Sequence, residues 1–179
     1  MTISGLINVI KENEFMYNAR IFPFENSIIF TDKHILVRDD PNLREYFGDF
    51  LLNELTKEGS AYLFEIGGKR IKFLNKGEPP DNDAVKMYLE ADVTKLELLD
   101  LTKKSEGVTQ GIESYNIPNM KGKTIGVVNK LYFDYLSSIG YEEISANVLT
   151  KPSIIYFIQD KKIKSVCMPL RNEEFCDAH

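Results

Sequence analysis

The chain has 179 residues, 43% of them hydrophobic and 27% charged, with a formal net charge of −5. That length allows one substantial core or two small ones, and no apolar run approaches the ~18 residues of a membrane span, so no membrane partner is expected. The acidic total argues against indiscriminate coating of nucleic acid and leaves room only for a local basic face.

Residues 1–13 contain Ile3, Leu6, Ile7, Val9 and Ile10 without a preceding basic region or a small-residue cleavage site, which predicts a helix over 3–13 and no export signal. Three short strands follow in FMYNARIFPF, SIIFT and HILVRD, separated by Glu25-Asn26 and Asp32-Lys33. In DDPNLREYFGDFLLNELTKEG, Asp40 caps a helix and Pro41 occupies its first turn. Leu43, Tyr46, Phe47, Phe50, Leu51 and Leu55 recur at helical spacing, and Gly59 stops it. AYLFEI and RIKFLN then flank Gly67-Gly68 as a hairpin.

The segment NKGEPPDND, residues 75–83, holds Gly, two Pro and three acidic residues, which no helix or central strand accommodates. It is read as a linker or surface loop between an N-terminal α+β half, 1–76, and a C-terminal half, 84–172, with 173–179 as a tail. Beyond it a strand is predicted near 86–90 and a helix over 93–103, whereas 105–121 carries no assignable pattern. KTIGVV is a strand. NKLYFDYLSSIG is a helix capped by Asn129 and stopped by Gly140, with Tyr132, Tyr135, Leu136 and Ile139 on one side. EEISANVL, SIIYFI and KIKSVCMPL complete a βαβββ unit. The helix and three strands of residues 3–39 suggest that this unit is repeated.

Few residues suggest chemistry. Cys167 and Cys176 lack CxxC spacing and read as reduced thiols of a cytoplasmic protein; His34 and His179 are the only histidines, so no metal site is expected. His34 is assigned a turn-stabilising hydrogen bond. Asp39-Asp40 and Glu142-Glu143 are adjacent pairs whose members point apart in a strand, and Asp40 already serves as a cap. The GGKR stretch, 67–70, is too short for a phosphate loop and lies between strands. With no nucleophile–base pair or cofactor loop, neither catalysis nor a cofactor is expected.

A βαβββ unit whose helix opens with Asn129, Tyr132 or Tyr135, and Leu136, with Pro152 opening the middle strand and Met168-Pro169-Leu170-Arg171 closing the last, resembles the final domain of bacterial sliding clamps, the DNA polymerase III beta subunit family. The match covers mainly 123–171. IIFTDKHILV, residues 28–37, is similar to a hairpin of clamp domains through Thr31, Asp32, His34 and Leu36. The resemblance implies an α+β fold of clamp-like units, with antiparallel sheets and helices on one face. It departs from the family in length, since clamp subunits carry three such domains and close as dimers.

The resemblance also implies a role: a non-catalytic replication accessory or processivity factor that forms a homo-oligomer around double-stranded DNA, and the short length and partial match suggest a phage-encoded one. Its protein partners would place short peptide motifs in an apolar pocket at Pro152, Met168, Pro169, Leu170 and Arg171. The alternative for that segment is an edge strand packing its own core. Lys69, Arg70, Lys72, Lys121, Lys123 and Lys130 are the candidate contacts to the DNA backbone, with a solvated basic face as the alternative. A second functional reading is a phage or mobile-element binding module that inhibits a host protein.

Overall fold

A computed structural model describes residues 19–32, 34–41, 61–67, 70–77, 82–147 and 153–170. The chain divides into two compact units, Met1–Tyr88 and Leu89–His179. The helices predicted over 3–13 and 40–59 lie outside the described residues, apart from Asp40 and Pro41.

In the first unit the antiparallel order is β5-β4-β1-β2-β3, made of β1 (Ala19–Phe24), β2 (Ser27–Thr31), β3 (Ile35–Arg38), β4 (Ala61–Gly67) and β5 (Arg70–Gly77). Glu25, at φ 52, turns β1 into β2 with Phe24 opposite Ser27. The next turn is made by Asp32, 2% exposed, whose carboxylate accepts from the His34 and Ile35 N–H groups at 2.9 Å each. The Thr31 hydroxyl donates to the Ile35 carbonyl at 2.7 Å. Side-chain caps of this kind replace backbone partners where the ladder ends. Ile21, Phe22, Phe24, Ile29, Phe30, Ile35, Leu36 and Val37 are buried.

The predicted 75–83 linker is corrected at both ends: residues 75–77 belong to β5, which runs through Gly77, and residues 82–83 open α1 (Asn82–Leu89). The strand predicted near 86–90 is therefore helix. Val85, Met87 and Leu89 alternate as a strand would, but Val85 and Leu89 are buried one helical turn apart while Met87 is exposed.

The helix predicted over 93–103 is also corrected. Asp92-Val93-Thr94-Lys95 and Asp100-Leu101-Thr102-Lys103 are two copies of one pattern, and each forms a single 3-10 turn. Asp92 accepts from the Thr94 N–H and hydroxyl at 3.1 and 2.6 Å, and Asp100 from those of Thr102 at 3.1 and 2.5 Å. Each Asp starts a fresh cap, so the segment breaks into two starts instead of one helix. Between them lies β6 (Glu97–Leu98).

The second unit contains β7 (Ser105–Thr109), β8 (Ile112–Pro118), β9 (Thr124–Asn129), α2 (Lys130–Ser138), β10 (Glu143–Ala146), β11 (Ile155–Gln159) and β12 (Lys162–Cys167). The unassigned stretch 105–121 is thus mostly the β7–β8 hairpin. The order β9-α2-β10-β11-β12 follows the predicted βαβββ sequence of elements, but its strands fall in two sheets: β7-β8-β9 is one, and β12-β11-β10-β6 is a run of another. Every pairing described is antiparallel.

Asn129 caps α2 by accepting from the Leu131 N–H at 2.9 Å. The helix packs on β8, β9 and β12 and buries Tyr132, Phe133, Tyr135 and Leu136. Phe133 stacks edge-on to Tyr115 and tilted to Phe157, both at 5.4 Å, and Tyr141 meets Phe157 at 5.6 Å. These aromatic pairs link helix and both sheets into the unit's core.

Candidate functional site

β12 ends at Cys167, three residues short of the predicted strand. The cause is Pro169, which has no N–H to give to a ladder. Met168, Pro169 and Leu170 leave the sheet half-buried, and the Leu170 N–H donates to the Val127 carbonyl at 2.7 Å. The C-terminal segment therefore lies along the outer side of β9, presenting three adjacent apolar residues that are neither core nor fully exposed.

Close packing supports that edge. A Cβ on Gly126 would stand 2.7 Å from Ile155 Cδ1, so any larger residue at the position before Val127 requires that buried methyl to move. Of the predicted pocket residues, the structure thus describes Met168, Pro169 and Leu170 as one contiguous strip, and Pro152 and Arg171 lie outside the described residues.

Within the second unit the basic candidates do not form one group. Lys69 is outside the described residues, while Arg70 and Lys72 lie on β5, in register with Gly67 and Glu65. Lys121 and Lys123 are exposed in the β8–β9 turn, which Asn119 organises. Its side-chain oxygen accepts from the Lys121 and Lys123 N–H groups at 3.1 and 2.9 Å, and its amide nitrogen donates to Glu97 at 2.7 Å. Lys130 sits at the opposite end of β9, roughly 20 Å away for a six-residue strand. It is already engaged, with its ammonium 2.8 Å from the Glu106 carboxylate.

That ion pair belongs to a cluster the sequence did not disclose. The Lys104 ammonium lies 4.2 Å from the Tyr115 ring centroid and 6.0 Å from that of Phe133, and Lys130 lies 5.6 Å from Tyr115. Two cations over aromatic faces gain quadrupole attraction. The Tyr115 hydroxyl donates to Asp134 at 3.3 Å. Burial, then that carboxylate, pushes the phenol above its ordinary value. The hydrogen bond from Lys130 holds Glu106 below the usual carboxylate range, and the same bond raises Lys130. Tyr115 lay in the unassigned stretch; alternation around Gln110-Gly111 was the one available signal.

The remaining candidates make local hydrogen bonds. Beside Asp32, His34 contributes its backbone N–H to the turn. Asp39 accepts from the Ile28 N–H at 2.9 Å, Glu142 from that of Asp160 at 3.0 Å, and Glu143 from the Ser145 hydroxyl at 2.7 Å. Among the described residues, no group of three or more His, Cys, Asp or Glu side chains is placed to hold a metal. No described helix is long and apolar enough to cross a membrane. No protein-family model matches the chain, and no curated protein matches it.

Proposed function

We propose that the chain is a non-catalytic, clamp-like accessory of DNA replication that recruits protein partners at the strip Met168-Pro169-Leu170. The observation that carries this reading is the placement of that strip, anchored at Leu170 on the edge of β9 and half-buried throughout. Anchored, half-buried apolar residues beside a sheet edge suit the apolar side chains of an extended peptide, with Met168 able to adapt its shape to them. A ring around double-stranded DNA is the second part of the proposal, with the exposed Lys121 and Lys123 as candidate contacts to its backbone.

The test pairs solution mass with retention on plasmid DNA. A closed ring is retained on circular plasmid and released when the plasmid is linearised, and its loading weakens as salt rises. A protein that neither oligomerises nor distinguishes the two DNA forms would sink the ring.

One observation favours the alternative, a phage or mobile-element module that binds and inhibits a host protein. Lys130 is neutralised by Glu106, leaving less free positive charge in a chain of net charge −5. This reading predicts saturable capture of one specific bacterial protein, lost on Met168→Glu; indifference to that substitution would count against it.

A further inference from the structure

Sheet edges are ready templates for another strand, and proteins guard them with charge, proline, bulges, short length or a covering segment. Three outer strands here are guarded. β9 is covered by Leu170, β6 is two residues long, and β5 contains the basic residues Arg70, Lys72 and Lys76. β7 is the exception: it has neither lysine nor proline, pairs with β8 without a register shift, and exposes Val108 to 71%.

Its free backbone groups follow from the register. Gln110 and Gly111 form a two-residue turn with φ 55 and 79, which makes Thr109 and Ile112 the first hydrogen-bonded pair. Bonded and non-bonded pairs alternate along an antiparallel ladder, so Val108–Glu113 and Glu106–Tyr115 are non-bonded pairs. The N–H and C=O groups of Glu106 and Val108 therefore point away from β8, toward solvent.

We propose that β7 is a self-recognition edge, through which two copies of this chain join antiparallel about a two-fold axis at Gly107. The two three-stranded sheets become one of six strands. In this register Glu106 of each copy faces Val108 of the other, Ser105 faces Thr109, and the axis carries no side chain. The two other registers that match the free backbone groups are worse. Centring on Glu106 sets two carboxylates opposite each other, and centring on Val108 runs half of each strand past the other's turn. The pairing with Lys130 at 2.8 Å also neutralises the one charged side chain that β7 brings to the interface. Five residues per strand make a small interface of the weak, concentration-dependent class. This inference is independent of the peptide and DNA readings.

Sedimentation equilibrium on the full chain, at concentrations up to about 1 mM, tests it. The expected result is a monomer–dimer equilibrium. Val108→Pro removes an N–H that the β7–β8 ladder does not use, and weakens association at least about tenfold while the thermal unfolding transition is retained. Val108→Glu opposes Glu106 of the second copy and also weakens it about tenfold, whereas Val108→Lys, facing the same carboxylate, does not. A wild-type monomer throughout the range overturns the proposal, even if β7 then accepts some other extended peptide. So does an oligomer indifferent to Val108→Pro, which would still leave a ring built through other surfaces standing. Equal effects of Val108→Glu and Val108→Lys overturn the register.

Discussion

The two outer strands of the β7-β8-β9 sheet meet the same problem with opposite outcomes. β9 is closed from within, by the Leu170 N–H bonded to the Val127 carbonyl, whereas β7 leaves the backbone of Glu106 and Val108 open and Val108 exposed. The difference arises from chain connectivity. β9 lies where the C-terminal segment can return after Pro169 has ended β12, while among the described strands β7 pairs with its hairpin partner alone. An edge partly covered by a returning segment favours side-chain recognition, and an open edge suits strand addition.

The largest expected effect strikes the closed side. Gly126→Ala forces Ile155 to move and should destabilise the chain by about 1–3 kcal/mol in urea unfolding. Ile155→Val, which removes the clashing Cδ1, should recover part of that loss in the double variant. Additive losses would show that Gly126 serves something other than close approach.

Asn119→Ala, at the turn leading into β9, deletes the acceptor of the Lys121 and Lys123 N–H groups and the bond to Glu97. About 1–2 kcal/mol of unfolding free energy should go with it. An unchanged denaturation midpoint would mean the turn holds itself.

Leu170→Pro removes the donor to Val127, at a cost of about 1 kcal/mol. Its sharper consequence concerns association. With both edges open, the variant should form species larger than dimers by light scattering. Unaltered mass would mean that the hydrogen bond is not what guards β9.

The smallest effect belongs to Lys130→Met, since Glu106 and Lys130 form a solvent-accessible pair. The folded Glu106 sits below its ordinary value of 4.5, so its contribution is present above that value and lost as pH falls through the depressed one. Lys130 is raised above 10.5, so its contribution holds below that value and fades as pH rises through the raised one. The variant should flatten the melting-temperature profile on the acid side of pH 4.5, and an identical acid limb would dissociate Glu106 from Lys130.

Much of the fold was legible where a signal acts within a few residues. Thr31 and Asp32 marked the β2–β3 turn, Asn129 and Gly140 bounded α2, and the three strands after it were each readable. The misreadings also came from local patterns. Val85, Met87 and Leu89 satisfy both a strand and a helix, and only burial separates the two. The Asp-x-Thr-Lys repeat was visible, yet apolar periodicity across it suggested one helix when each Asp starts a new cap. The β7–β8 hairpin was hidden because Gln110-Gly111 is a weaker turn signal than Asn-Gly.

The candidate site was less legible, because its parts come from distant positions. From the sequence alone, Met168-Pro169-Leu170 could be named as a terminal apolar strip, and Lys130 as a cation near a helix start. Only the tertiary structure decided that Leu170 bonds to β9, that Lys130 is bound by Glu106 24 residues away, and that β7 has no second strand beside it among the described residues. Caps, turns and hydrophobic periods are set by energies between neighbours in the chain, which the sequence states directly. Which edge is covered and which charge is neutralised depends on where the sheets bring remote residues together, and no local pattern encodes that.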